Sequence, residues 1–386
     1  MNFILTNSEI EKLVDIRKYL HKHPELANNE KKTSIFLKEV LNSFSPDEII
    51  EGIGGEGLAF VFKGNKPGKN ILFRAELDAL PILEENNFEY KSLNDGISHK
   101  CGHDGHMTIL VGLAKYLAEN RPQKGSVIIL YQPAEETGEG AEAVLTDPLF
   151  QQLKPDFVFA LHNLPGFKKN SIIVKDGCFA ASSIGIKINL IGKESHAGHP
   201  EGGNSPALAI AEIINQFQEI AKNALSKELG FVTLISIDMG EKAYGTAPGK
   251  AEILATLRSY SDENLVCLKS KCTDIVNYIT TSNNLKLKIQ WQEYFPVTKN
   301  YPEAIQIIRK AAKKSGLNVL QAEEPFRWSE DFGHFTNKFN GALFGLGAGI
   351  ESPQLHNPDY DFPDELTPTG INIFSSIVQS IMEELV

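Results

Sequence analysis

Long apolar runs are missing from this 386-residue chain: no stretch approaches the roughly 20 consecutive apolar residues that a bilayer span needs, so no membrane-spanning helix is expected. The opening segment, Met1 to Val14, lacks a basic start and turns polar at Thr6, which predicts no secretory signal and a cytoplasmic protein. A basic excess is missing too. Lys plus Arg number 38 against 49 Asp plus Glu, a formal net charge of −11, so phosphate backbones are repelled and nucleic acid is not an expected partner. Cysteine is scarce. Cys101, Cys178, Cys267 and Cys272 include no C-x-x-C pair, which argues against a disulfide framework or a zinc ribbon; the last three read as plain core residues. No internal repeat or low-complexity tract is found.

What is present is the balance of an ordinary enzyme, 42% hydrophobic and 23% charged, in a chain long enough for two domains. Thr6 and Glu9 form a capping-box pattern ahead of Ile10, Leu13, Ile16 and Leu20 at helical spacing. Apolar runs at Leu58–Phe62, Ile71–Arg74, Val127–Tyr131 and Phe157–Leu161 alternate with helical segments such as His106–Glu119, which predicts an α/β fold with a mostly parallel sheet flanked by helices. From Ile184 the pattern becomes the period-2 alternation of half-exposed antiparallel strands. Helices over 205–225 and 262–280 and strands at 231–237, 251–258 and 285–291 complete an α+β unit there, with an exposed sheet edge or face suited to pairing with a second copy. A helix over 301–314, a strand at 342–346 and a final helix over 368–385 rejoin the first sheet. The expected organisation is therefore residues 1–179 and 294–386 as one domain and 180–293 as an insertion.

Chemistry-bearing residues gather in four places. His99-Lys-Cys101-Gly-His103-Asp104-Gly-His106 packs thiol, imidazole and carboxylate into a glycine-containing turn ahead of a helix, a donor set for a divalent transition metal. Gln132-Pro-Ala-Glu135-Glu136 follows an apolar strand, where a parallel sheet collects ligands. His162 closes Phe157–Leu161, and His356 follows a glycine-rich loop. Each alone admits a plainer account: a helix-capping Asp104, a solvated acidic turn, a core or surface histidine. Their joint occurrence points to a metal centre.

Taken with His21-Lys-His-Pro-Glu25, Arg74-Ala-Glu-Leu-Asp-Ala-Leu-Pro81, Ser195-His-Ala197, Ser329-Glu-Asp-Phe332 and Leu355-His356, the chain resembles the M20 metallopeptidases, in particular the amidohydrolase branch of hippurate hydrolases, N-acyl amino acid deacylases and auxin-conjugate hydrolases. The resemblance implies a zinc-peptidase-like catalytic domain interrupted by a lid or dimerisation domain, and a homodimer formed through that insertion. It implies that Cys101, His103, Glu136, His162 and His356 bind two divalent ions, zinc or manganese with nickel or cobalt as substitutes, and that Glu135 is the general base. His196 is the expected donor to the oxyanion, Asp78 the expected orienter of a ligand histidine, and Arg258 the expected clamp on a substrate carboxylate. The substrate implied is a small N-acyl amino acid, with a dipeptide as the alternative. A cysteine hydrolase using Cys101 with His103 or His106, and a silent dimeric binding protein, are the rivals from other classes. Two positions depart from the branch: Glu76 stands where an aspartate is usual, and Tyr244-Gly-Thr-Ala-Pro248 lacks an asparagine before the proline.

Overall fold

The structure, a computed structural model, describes residues 5–223 and 230–383. Parts of three predictions lie outside these residues: the first four residues of the N-terminal segment and the ends of the helices expected to reach 225 and 385. The contact pattern divides the chain into two units, one drawn from Met1–Phe179, Thr298–Glu324 and Asp331–Val386, the other from Ala180–Val297 and Pro325–Glu330. The second unit thus extends past the expected 180–293. Val297 N–H bonds Asp262, and Ala181 N–H bonds the main-chain oxygens of Phe326 and Trp328.

The first unit is built on an eight-stranded sheet, in spatial order Glu48–Ile53, Gly57–Lys63, Lys124–Gln132, Lys66–Glu76, Phe157–Pro165, Asn340–Gly349, Ile172–Val174 and Val319–Gln321. Its centre is parallel: Lys66–Glu76 pairs in parallel with Lys124–Gln132 and Phe157–Pro165, and the latter with Asn340–Gly349. Antiparallel pairings join the first two strands to this centre, so the sheet is mixed towards its edges. The central strands are buried on both faces, which is why they read as unbroken apolar runs. Phe60, Phe73, Ile129, Phe159 and Phe344 face one way, into a core closed by the helices Asn7–Lys22, His103–Glu119, Pro302–Lys314 and Thr367–Glu383. On the other face Phe150 packs against Phe335 and Phe339, with ring centroids 5.8 and 6.1 Å away.

Local chemistry explains the starts of key helices. Asn7–Lys22 begins with the predicted capping box, Glu9 N–H reaching Thr6 Oγ1 and Thr6 N–H reaching Glu9 Oε2. His103–Glu119 is buried nearly all round, as befits a helix under the sheet, and starts at Gly102 with φ +91°. A Cβ there would sit 2.6 Å from Asn163 Oδ1, so the turn requires glycine.

The second unit is an antiparallel four-stranded sheet ordered Gly230–Met239, Lys250–Ser259, Ser182–Ile191, Lys286–Phe295. Ile184, Ile186, Ile188, Ile253 and Leu257 face the helices Ala207–Asn223 and Asp262–Ser282 and form a separate core with Phe217, Leu268 and Val276. None of the four cysteines is in a disulfide. The expectation that three of them are core residues is corrected in part: Cys272 is buried, but Cys178 is only partly covered and Cys267 is exposed on the outer side of its helix. Among the described residues no helix is long and apolar enough to cross a membrane.

Candidate metal centre

Strand ends of the parallel sheet deliver most of the site. Lys66–Glu76 leads into Asp78, Lys124–Gln132 into Glu135 and Glu136, and Asn340–Gly349 into the loop of His356, while Cys101 and His103 sit at the start of a helix. His162 lies within its strand, three residues before the end, and points from there into the same space. All five predicted ligands fall in the first unit and converge. The ligand atoms of Cys101, His103 and His162 lie within 4.8 Å of one another, and so do those of Cys101, Glu136 and His356. The two triads share one sulfur. His103, Glu135 and Glu136 form a third such group.

Hydrogen bonds set which imidazole nitrogen faces the centre. His103 Nδ1 is 2.8 Å from the main-chain oxygen of Asp78, which can only accept, so Nδ1 carries a proton and Nε2 is the nitrogen turned to the centre. That Nε2 is buried, has no hydrogen-bond partner, and lies 3.8 Å from both Glu135 Oε2 and Glu136 Oε1. His162 repeats the device: Nδ1 donates to the Asn163 oxygen at 3.0 Å, leaving Nε2 at 3.4 Å from Cys101 Sγ. Burial drives the His162 pKa well down and so keeps it neutral, the form in which an imidazole can bind a metal. Burial works against a proton on His103 as well, yet Asp78, Glu76 and Glu136 outweigh it and raise its pKa to about 10. The same anionic field favours a divalent cation, which would displace that proton. An orphaned buried nitrogen facing two carboxylates, with a thiol and a second neutral imidazole beside it, fits a metal pair.

Asp78 does more than the sequence suggested. Its main-chain oxygen holds His103, and its Oδ2 accepts the Glu136 N–H at 2.9 Å, so one residue contacts two of the predicted ligands. Beneath lies a buried network that sequence reasoning missed. Arg74 donates to Gln132, Glu76 and Asp331, and Asp331 also holds the Gln132 side chain and the Ala141 N–H. Glu76 meets His106 Nδ1 at 2.7 Å, and His106 Nε2 meets the Asn163 side chain. Burial would raise the Glu76 carboxyl, but the charge of Arg74 and then of His106 and His103 holds it well below the usual range. With both its nitrogens engaged, His106 is not available as a base for Cys101.

A second network joins Arg17, His21, Glu84 and Asp104. Asp104 accepts from Arg17 at 3.1 Å and lies 2.8 Å from His21 Nδ1, so it is an ion-pair partner and not the simple cap that its position allowed. Burial opposes ionisation of Glu84, but hydrogen bonds from His21 and Lys100 hold its pKa down to about 2. No local pattern marks these contacts, because Arg17 and Asp104 are 87 positions apart.

His196 and Arg258 belong to the second unit. Ser195-His196 pairs with Thr246-Ala247 in a small ladder, and Gly198 N–H donates to His196 Nδ1 at 3.0 Å, which leaves the exposed ring with its proton on Nε2. Arg258 donates to Ser329 Oγ at 2.8 Å and to the Arg327 oxygen at 3.1 Å, and no carboxylate lies within ion-pair distance of it among the described residues.

Comparison with known proteins agrees with this geometry. The description of peptidase family M20/M25/M40 matches residues 72–380. An N-acetyldiaminopimelate deacetylase of Lactobacillus helveticus is 31% identical over 376 residues, covering 96% of each chain. A hippurate hydrolase of Campylobacter jejuni is 32% identical over 364 residues, covering 94% of each. A Bacillus subtilis protein described as a dinuclear metal binding peptidase from the M20 family superposes with a TM-score of 0.82 at 26% identity, over 98% of this chain and 99% of that one. The chain belongs to peptidase family M20/M25/M40.

Proposed function

We propose that the chain hydrolyses amide bonds of small N-acyl amino acids with the help of two divalent ions, held by Cys101, His103, Glu136, His162 and His356. The observation that carries this is the pair of ligand triads sharing Cys101 Sγ, with Glu135 beside them. The names of the relatives, a deacetylase and a hippurate hydrolase, support the substrate class. The shared thiolate favours a softer ion such as zinc over a purely oxygen-seeking one, with manganese the other resident and nickel or cobalt substitutes.

Held by these five side chains, two divalent ions would supply an acidified water, its pKa lowered from 15.7 towards about 7, and a Lewis acid for the scissile carbonyl. Glu135 takes the proton of the attacking water and hands it to the leaving amine. Asp78 holds the His103 Nδ1–H, which turns Nε2 to the site, and fixes the Glu136 main chain, so both proposed ligands are oriented before an ion arrives. His196 is assigned the donor to the developing oxyanion, a role its Nε2–H suits. Arg258, with no acidic partner among the described residues, is assigned to the substrate carboxylate. The chain is also proposed to form a homodimer through the second unit, whose edge strand Gly230–Met239 exposes Ile235, Ile237 and Met239, and to work in the cytoplasm, in keeping with four cysteines outside any disulfide.

The test is elemental analysis of the purified protein, followed by assay of chelator-stripped protein with each metal restored against acetyl and benzoyl amino acids and, in parallel, dipeptides. The proposal expects two ions per chain and turnover of the acyl amino acids. Turnover confined to dipeptides would overturn the substrate class, and no turnover by metal-replete protein across the panel would overturn the enzyme.

A further inference from the structure

We propose that Lys100 is a positioning residue that holds His356 in place for one of the two ions. The inference rests on the reading of His356 as a ligand and adds to it the device that aims the ring. Lys100 lies between His99 and Cys101, and its side chain is fully buried. A buried ammonium is tolerated only when its three protons find acceptors. Here they do: Glu84 Oε1 at 2.5 Å, Asn86 Oδ1 at 2.6 Å and the main-chain oxygen of Tyr360 at 2.8 Å.

The third acceptor carries the argument, because Tyr360 belongs to the segment that presents His356. That segment meets Lys100 a second time, where His356 N–H donates to the Lys100 main-chain oxygen at 2.8 Å. One residue therefore grips the segment at two points four positions apart. Its neighbours add to the grip, with Asn86 Nδ2 on the Asp359 oxygen at 2.9 Å and Glu85 N–H on the Pro358 oxygen at 3.1 Å.

His356 needs such a grip more than the other ligands do. Its φ is +66°, a left-handed conformation that a residue with a Cβ holds only when its surroundings impose it. Its side chain is 51% exposed, so packing does not fix the ring, whereas the His103 side chain is fully buried and His162 is also buried. Loosening the grip should therefore fall on the Cys101–Glu136–His356 triad and spare Cys101–His103–His162. A residue of merely structural importance would weaken both triads or neither.

The experiment titrates manganese(II) into the chelator-stripped full chain by equilibrium dialysis, with ions counted by atomic emission and folding followed by circular dichroism. Lys100→Met removes the three side-chain donors and leaves the main-chain acceptor. Asn86→Ala removes part of the grip without stranding a buried charge. Wild type is expected to bind two ions. His356→Ala is expected to lose the weaker of them. Lys100→Met is expected to weaken one ion by about 10–100-fold and the other by less than about 2-fold, the range found when a group that orients a ligand is removed. Asn86→Ala is expected to do the same to a smaller degree, and it decides the matter if Lys100→Met does not fold. Two ions at wild-type affinity in both variants, or equal weakening of both ions, overturns the positioning role alone. Failure of His356→Ala to alter metal binding overturns the ligand reading, and the inference falls with it.

Discussion

Glu30 provides a pH test that needs neither metal nor substrate. It is fully buried beneath the loop of the two site carboxylates, and its Oε1 accepts the Ala134 N–H at 2.8 Å while Oε2 has no partner. Burial above all, with the charge of Asp78 adding to it, raises its pKa from 4.5 to about 7. In the folded chain Glu30 thus keeps its proton up to about pH 7, whereas the unfolded chain releases it near 4.5. Between those values the unfolded state binds fewer protons, so the Glu30 contribution to stability is complete below pH 4.5 and is lost as pH rises through 7. The difference, 7 − 4.5 = 2.5, at about 1.36 kcal/mol per pH unit, sets a ceiling of about 3 kcal/mol. Glu30→Gln keeps an acceptor for Ala134 and cannot ionise. Urea unfolding of chelator-treated wild type and variant from pH 4.5 to 8 should show the variant gaining about 2–3 kcal/mol relative to wild type across that window. A difference constant to within about 0.5 kcal/mol would refute the reasoning.

Three further outcomes are expected. Glu135→Gln should lower kcat by about 100- to 10,000-fold while metal content measured by atomic emission stays at two ions, since the residue moves a proton and is not a ligand in this account. Arg258→Met should raise KM by about 10–100-fold for an acyl amino acid, the cost of one charged hydrogen-bonding group, and leave the corresponding acyl amino acid amide unaffected in steady-state assays. Gly102→Ala should destabilise the chelator-stripped chain by at least about 1 kcal/mol in urea, because it forces a side chain into φ +91° against Asn163.

The parallel centre of the sheet was legible because both faces of its strands are buried, which leaves uninterrupted apolar runs such as Val127–Tyr131. The edge strand Glu48–Ile53 was not, since all its residues but Ile53 are exposed or partly so and show no period. The helix Lys31–Asn42 was also missed: it has no side-chain cap, and its N-terminal turn is polar. In the site, the five candidate ligands were nominated from donor type and from their place near strand ends or a helix start, and the fold brings their donor atoms together. Of the groups around them Asp78 was expected, but the buried partners of Lys100 and Arg74 were not, because those contacts are long-range: Lys100 meets Tyr360 across 260 positions and Arg74 meets Asp331 across 257. Nothing in the sequence singled out Lys100 within the His99–His106 cluster, and only its burial reveals its partners.

Anomalous diffraction from crystals grown with saturating zinc or manganese tests the central claim most directly. Two ions about 3.5–4 Å apart are expected, one against Cys101, His103 and His162, the other against Glu136 and His356 with the same sulfur in reach. Ions bound elsewhere, or a saturated crystal in which these five side chains diverge, would contradict it.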